Sequence, residues 1–157
     1  MNKFAATALL AAFLPFGVHA ADTDAQPDNA PRIDYGAVDA NNLAGGFLPD
    51  PKVLYRNQPD HLFCWVASNL PDLALEADVV ETFESPKKAV FADAHSSVDG
   101  KTHRIDSRIK VIREAGKSPV VQKCWRMEAS DPAGEYRWQV QVNGVSYPQQ
   151  TFEFKSW

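Results

Sequence analysis

The sequence predicts an all-β fold, an antiparallel β-sandwich of about seven strands, on three observations. Residues 135–143 alternate strictly, with Tyr136, Trp138, Val140 and Val142 on one face and Arg137, Gln139 and Gln141 on the other. Asn143-Gly144 follows, a pair that tolerates the positive φ values of a type I′ hairpin turn, and TFEF then returns as a second strand. From Leu62 onward, short apolar runs recur between turn residues, as they do in sandwiches.

The elements follow in order. Residues 1–20 read as an export signal: Lys3 supplies the positive start, Phe4–Phe16 the apolar run, and Val18-His19-Ala20 the small residues of a cleavage site. The run is short for a bilayer span, and nothing later reaches eighteen apolar residues, so no transmembrane segment is expected. These features suit a periplasmic or secreted bacterial protein. Residues 21–50 are rich in Asp, Asn, Pro and Gly and read as a mostly disordered leader, with a short first strand near residues 32–38. The sandwich proper is expected over 51–157.

Within it, LFCWVAS places Phe63, Trp65 and Ala67 on one face and Leu62, Cys64 and Val66 on the other, a strand buried on both sides. Asn69–Asp72 form a turn. Leu73–Phe83 make the next strand, with Leu75, Ala77, Val79, Glu81 and Phe83 on one side. A third strand is expected around Ala89–Ala94, before an Asp99-Gly100 hairpin signal. Residues 104–114 carry two patterns. Ile105, Ser107, Ile109 and Val111 alternate with charged residues, as in a half-exposed strand; Ile105, Ile109 and Ile112 also fit a helical face, with Gly116 as a stop. Val120–Met127 is the next strand. Pro148 lacks a donor and belongs at an edge or a strand start. The C-terminal Trp157 raises an outer-membrane barrel, but Lys155, Glu153 and Thr151 occupy the positions that would face lipid, and the barrel is rejected.

The chain has two cysteines, Cys64 and Cys124, and export to an oxidising compartment predicts one structural disulfide between them. Closing a loop of this size would add roughly 4 kcal/mol on the chain-entropy model. Trp65 and Trp125 each follow a cysteine and should face away from it.

Asp131-Pro132-Ala133-Gly134-Glu135-Tyr136 resembles the tyrosine corner of immunoglobulin-like domains, in which a Tyr hydroxyl returns to nearby backbone. Two residues after that Tyr, antibody-type domains carry a cysteine; here Trp138 stands in its place. RIDYG together with PAGEYRWQVQVNG and QQTFEF is similar to a functionally uncharacterised family of short exported bacterial immunoglobulin-like domains. The resemblance implies an immunoglobulin-like β-sandwich. It implies no catalytic or binding residues. In such a topology Cys64 and Cys124 fall on neighbouring strands.

Charge is distributed unevenly. Residues 21–84 hold twelve acidic and three basic residues, whereas residues from 85 onward hold eight and twelve. Lys101, Arg104, Arg108, Lys110 and Arg113 are therefore candidate binding residues, and Arg104, Arg108 and Lys110 form a positive stripe if they share an exposed strand face; the alternative is a solvated face that balances the acidic half. Trp157 is the tryptophan expected to be most exposed and a candidate contact. The partner so implied is an envelope protein or an anionic envelope component. Nucleic acid is not expected outside the cytoplasm.

Catalytic signatures are missing. The sequence has no Gly-x-Ser-x-Gly elbow, no Ser-x-x-Lys and no His-Glu-x-x-His. His95 and His103 could hold a metal only if the hairpin set them opposite each other; otherwise they are solvated loop histidines. No cofactor and no enzymatic activity are expected. The reading is an exported, non-enzymatic binding module of the bacterial envelope. The alternatives are an inhibitor or immunity-type protein, blocking a secreted enzyme with loop 86–101 or 114–119, and a small hydrolase or metal-dependent enzyme.

Overall fold

A computed structural model describes residues 29–157. The expected signal peptide and the first part of the leader lie outside the described residues. The fold is a β-sandwich of two sheets. Its smaller sheet has the order β1-β3-β7, built from Arg32–Asp39, His61–Ser68 and Val121–Arg126. The larger sheet has the order β2-β10-β8-β4-β6-β5. Its strands are Val53–Tyr55, Gln150–Lys155, Gly134–Val142, Glu76–Glu84, Thr102–Lys110 and Ser96–Val98, with β9 (Val145–Ser146) beside β8. All pairs are antiparallel except β2 with β10.

Three expectations need correction. The short first strand expected near residues 32–38 is β1, but it pairs with β3 along its full length, Arg32 with Ser68 through Asp39 with His61, so the sandwich begins before residue 51. Residues 89–94 form no strand: Phe91 drops inward alone, stacking on His103 at 4.3 Å and on Phe83 at 5.7 Å. Turn and loop bonds from Ala94 N–H to Phe91 O and from Ala89 N–H to Gly100 O hold the segment. Leu75 is 80% exposed because β4 starts only at Glu76, and Arg113 takes the carbonyls of Leu73 and Ala74. The two readings of 104–114 resolve in favour of the strand, which ends at Lys110.

The closing hairpin positions much of the core. Tyr136, Trp138, Val140 and Val142 are all buried. Asn143 and Gly144 take φ 47° and 82°, and Asn143 extends the ladder by exchanging two 2.8 Å bonds with the Asp78 backbone. At the corner the Tyr136 hydroxyl donates to Pro132 O at 2.8 Å. Burial raises that phenol far above its ordinary pKa, which keeps it a donor. Gly134 (φ 139°) is required there, since a Cβ would meet Pro86 at 2.8 Å.

Between the sheets lies an aromatic core of Phe63, Trp65, Phe83, Trp138, Phe152 and Phe154. Phe63 stacks on Phe152 at 4.3 Å and meets Trp138 edge-on at 5.2 Å. Burial of each such ring contributes roughly 1.5–3 kcal/mol. Cys64 and Cys124 are Cα partners on β3 and β7, and their disulfide lies on the opposite face from Trp65 and Trp125.

At the centre of this core sits Glu81, with no exposed surface. Its Oε1 accepts the indole N–H of Trp65 and Trp125 at 2.8 Å and of Trp138 at 3.2 Å. Its Oε2 accepts Lys123 Nζ at 2.7 Å, and that ammonium also lies 4.0 Å over the Trp125 ring. A buried carboxylate is tolerated only when charge and lone pairs are met in this way. Glu81→Ala should therefore cost about 3–5 kcal/mol, by stranding three indole donors and one ammonium. Glu81→Gln, which keeps an acceptor oxygen, should cost less. Urea unfolding followed by tryptophan fluorescence measures both, and a loss below about 1 kcal/mol for Ala would contradict the assignment.

Candidate functional site

Strand β6 sorts its residues by the two-residue period of a pleated chain. His103 and Ile105 are fully buried and Ser107 and Ile109 half-buried, whereas Arg104, Asp106, Arg108 and Lys110 stand on the outer face of the larger sheet. Three of the candidate basic residues thus share one exposed strand face. Lys101 lies at the turn before β6 and Arg113 beyond its end. From Lys101 to Lys110 the row spans about 30 Å of extended chain.

The row is not uniformly positive. Arg104 pairs with Asp106 at 2.9 Å, and Arg108 with Asp78 of β4 at 3.1 Å. Lys110 stands opposite Glu76 in the register but makes no ion pair among the described residues. Exposed pairs of this kind add little stability; they do lower the positive potential along the row. Asp106 lies on β6 itself, whereas Asp78 lies thirty residues before Arg108, a cross-strand proximity that charge counting along the chain missed.

At the Lys110 end, a groove of about 750 Å³ is lined by Ala74, Leu75, Glu76, Asp78, Arg108, Lys110 and Val111. Its sequence signal was slight: Leu75 looked like a core residue. The groove exists because β4 begins at Glu76, three residues after the expected Leu73. Trp157 is 87% exposed, as expected, but it does not join this site. β10 runs antiparallel to β8, β8 to β4 and β4 to β6, so the end of β10 lies with the start of β6. It is also about 14 Å away across three strand spacings. Trp65 is fully buried and Trp125 half-buried, and both direct their indole N–H groups to Glu81.

The expectation for His103 needs correction. It is buried, not solvated, and its Cα partner across the hairpin is Ser97, so His95 does not face it. The register was readable, because His103 continues the inward row of Ile105, Ser107 and Ile109. Its Nδ1 lies 2.8 Å from Ser97 Oγ and its Nε2 3.4 Å from Ser85 Oγ. Ser85 spends its one proton on the carbonyls of Lys87 (2.6 Å) or Lys101 (3.1 Å). It can therefore only accept from Nε2–H, which leaves Nδ1 to accept the Ser97 hydroxyl. The imidazole works as a neutral clasp between β5, β6 and the end of β4. No group of three or more His, Cys, Asp or Glu side chains suited to a metal occurs among the described residues.

Burial lowers the His103 pKa, with the Asp131 carboxylate opposing the effect. The unfolded chain therefore takes up this proton first as pH falls. Stability from this group is complete above about pH 6.5 and declines as pH drops through the folded-state value. Asp131, itself raised chiefly by burial, acts with the opposite sign in the acid range above its ordinary value. Unfolding free energy should thus fall between pH 7.5 and pH 5.5, and His103→Asn should flatten that slope. An unchanged slope in the variant would contradict the clasp.

Among solved structures, the fold is similar to an immunoglobulin-like protein of Pseudomonas aeruginosa, at 13% identity and a TM-score of 0.46, covering 78% of this chain and 91% of that one. An alkylpurine DNA glycosylase of Pseudomonas fluorescens matches at 13% identity and a TM-score of 0.42, covering 80% of this chain. A β-glucosidase of Listeria innocua matches at 12% identity and a TM-score of 0.40, covering 81%. The chain spans only 30% of that glycosylase and 16% of that glucosidase. No curated protein matches the sequence. The model of the PM0630 beta sandwich domain matches residues 33–155, from the second residue of β1 to the last of β10, and the chain belongs to that family.

Proposed function

We propose that this domain is an exported, non-enzymatic binding module of the bacterial envelope that recognises an anionic or protein partner through the outer face of β6. Lys101, Arg104, Arg108, Lys110 and Arg113 steer the partner, and the groove beside Lys110 supplies contact area. Trp157, at the far end of the sheet, offers a separate exposed ring. The observation that carries this reading is the exposed row Arg104, Arg108 and Lys110 running into a groove with an 80% exposed leucine, Leu75. Basic groups beside apolar surface suit a partner that brings both carboxylates and side-chain bulk.

Three further observations bear on it. The disulfide and the export-like N-terminal sequence agree with a compartment outside the cytoplasm. No helix among the described residues is long and apolar enough to cross a membrane. The core groups with catalytic side-chain chemistry, Glu81 and His103, are both buried and spend their hydrogen bonds on holding strands together.

The test is capture of partners from periplasmic and outer-membrane extracts by the mature protein at two salt concentrations. Capture should fall severalfold at the higher salt, and at low salt the triple variant Arg104→Gln, Arg108→Gln, Lys110→Gln should lose most of it. A tight one-to-one complex with a secreted enzyme, unchanged by the triple variant, would instead favour an inhibitor acting through a loop.

A further inference from the structure

We propose that the partner binds as an added β-strand on the free margin of β6, and that it is an extended peptide carrying carboxylates at alternate positions. This deepens the protein-binding reading above and rests on it.

The main chain of β6 shows where such a strand would lie. Val111 N–H donates to Leu75 O at 2.9 Å, in the same register that makes Lys110 the Cα partner of Glu76. In an antiparallel strand the N–H and C=O of one residue point to the same side and alternate along the chain. Odd-numbered residues of β6 therefore bond to β4, and even-numbered ones point away from it. At one end this outer side is covered, because Arg104 O accepts His95 N–H at 2.7 Å. At the other end Ile112 exchanges bonds with Val120 at 2.9 and 3.0 Å. Between them, Asp106, Arg108 and Lys110 present three N–H and three C=O groups with no partner among the described residues. All three residues are exposed.

β5 leaves this gap because it stops at Arg104: its register runs only from Ser96–Arg104 to Val98–Thr102. The chain then leaves the larger sheet after Lys110 to meet Val120 beside the smaller one. The open margin is thus five residues long and closed at both ends, which fits a short extended peptide better than a long strand.

Charge selects the occupant. Side chains at 106, 108 and 110 read acidic, basic, basic on one face. Directly opposite groups interact most strongly across a ladder, and like charges there repel. An antiparallel visitor of the pattern Glu-x-Glu-x-Lys sets its carboxylates opposite Lys110 and Arg108 and its ammonium opposite Asp106. Before the first Glu, an apolar residue would reach the groove of Leu75 and Val111. A second copy of β6 in that register would set Arg108 against Arg108 but Asp106 against Lys110 twice, so self-pairing is the competing occupant that the test separates.

The test uses the mature protein and a synthetic peptide, Leu-Glu-Val-Glu-Val-Lys-Ser, read by fluorescence anisotropy and amide hydrogen exchange. Binding should be saturable, and the Asp106, Arg108 and Lys110 amides should gain protection. A peptide of the same charge, N-methylated at the amides that face β6, should bind at least tenfold more weakly. So should the Asp106→Pro variant, which removes one outward donor and no positive charge; circular dichroism and the wild-type melting profile confirm its fold. Equal binding of the N-methylated peptide would overturn strand addition while leaving charge steering intact. Salt-sensitive capture of extract proteins without binding of either peptide, or binding only to phosphatidylglycerol vesicles, would also overturn it. So would a β6-mediated dimer abolished by Asp106→Pro. If salt-sensitive capture fails as well, the underlying binding reading falls with it.

Discussion

A carboxylate buried between two sheets is the constraint around which this sandwich is arranged. Glu81 cannot enter the core without donors, and its donors come from three other strands: Trp65 on β3, Lys123 and Trp125 on β7, and Trp138 on β8. Because β3 and β7 belong to one sheet and β4 and β8 to the other, satisfying one residue fixes how the two sheets sit over each other. A slip of one residue in β4 would turn Glu81 outward and leave three indole N–H groups unmet. The disulfide acts on the reverse face of the smaller sheet, tying β3 to β7 where both already present tryptophans inward. The two devices are complementary. One sets the register between layers, and the other limits the freedom of the unfolded chain.

This arrangement divides the molecule's polar chemistry into two parts. Inside, Glu81, Lys123, His103 and Ser85 are engaged with one another, with indole N–H groups, with backbone or with Ser97 at the exposed edge, and they hold strands rather than offering groups to a substrate. Outside, β6 carries its charges on a face set between a covered turn and a crossover. The crossover at Val111–Ile112 closes the sandwich corner and, by drawing the chain away, leaves the margin at Asp106–Lys110 without a neighbour among the described residues. The same strand supplies a core row, a charged face and an open set of main-chain groups. Fold and candidate binding surface are therefore products of one strand's path.

Local alternation made much of this readable. The inward row Tyr136, Trp138, Val140 and Val142, the Asn143-Gly144 turn, the tyrosine corner and the two faces of β3 follow from a two-residue period and turn chemistry. These depend on near neighbours, and near neighbours are adjacent in the sequence. The same rule carried the burial of His103, one step before Ile105, but a histidine invites a solvated reading when its partner serines are six and eighteen residues away. Where a single ring anchors a segment, as Phe91 does, an apolar run looks like a strand and is not one. Leu75 failed for a related reason: its alternation was sound, but Arg113, nearly forty residues on, captured the preceding carbonyls and delayed the strand.

By itself, the chain determined an all-β sandwich, the inward face of each long strand and the two cysteines available to pair, because these rest on side-chain periodicity and backbone preference. Only the tertiary structure decided that Glu81 meets three tryptophans and a lysine, and that Asp78 answers Arg108. It alone decided that Trp157 stands apart from the β6 face and that the margin of β6 is open. Each of those depends on strand order and register between residues far apart in sequence, and those are set by burying the whole core at once rather than by any local pattern.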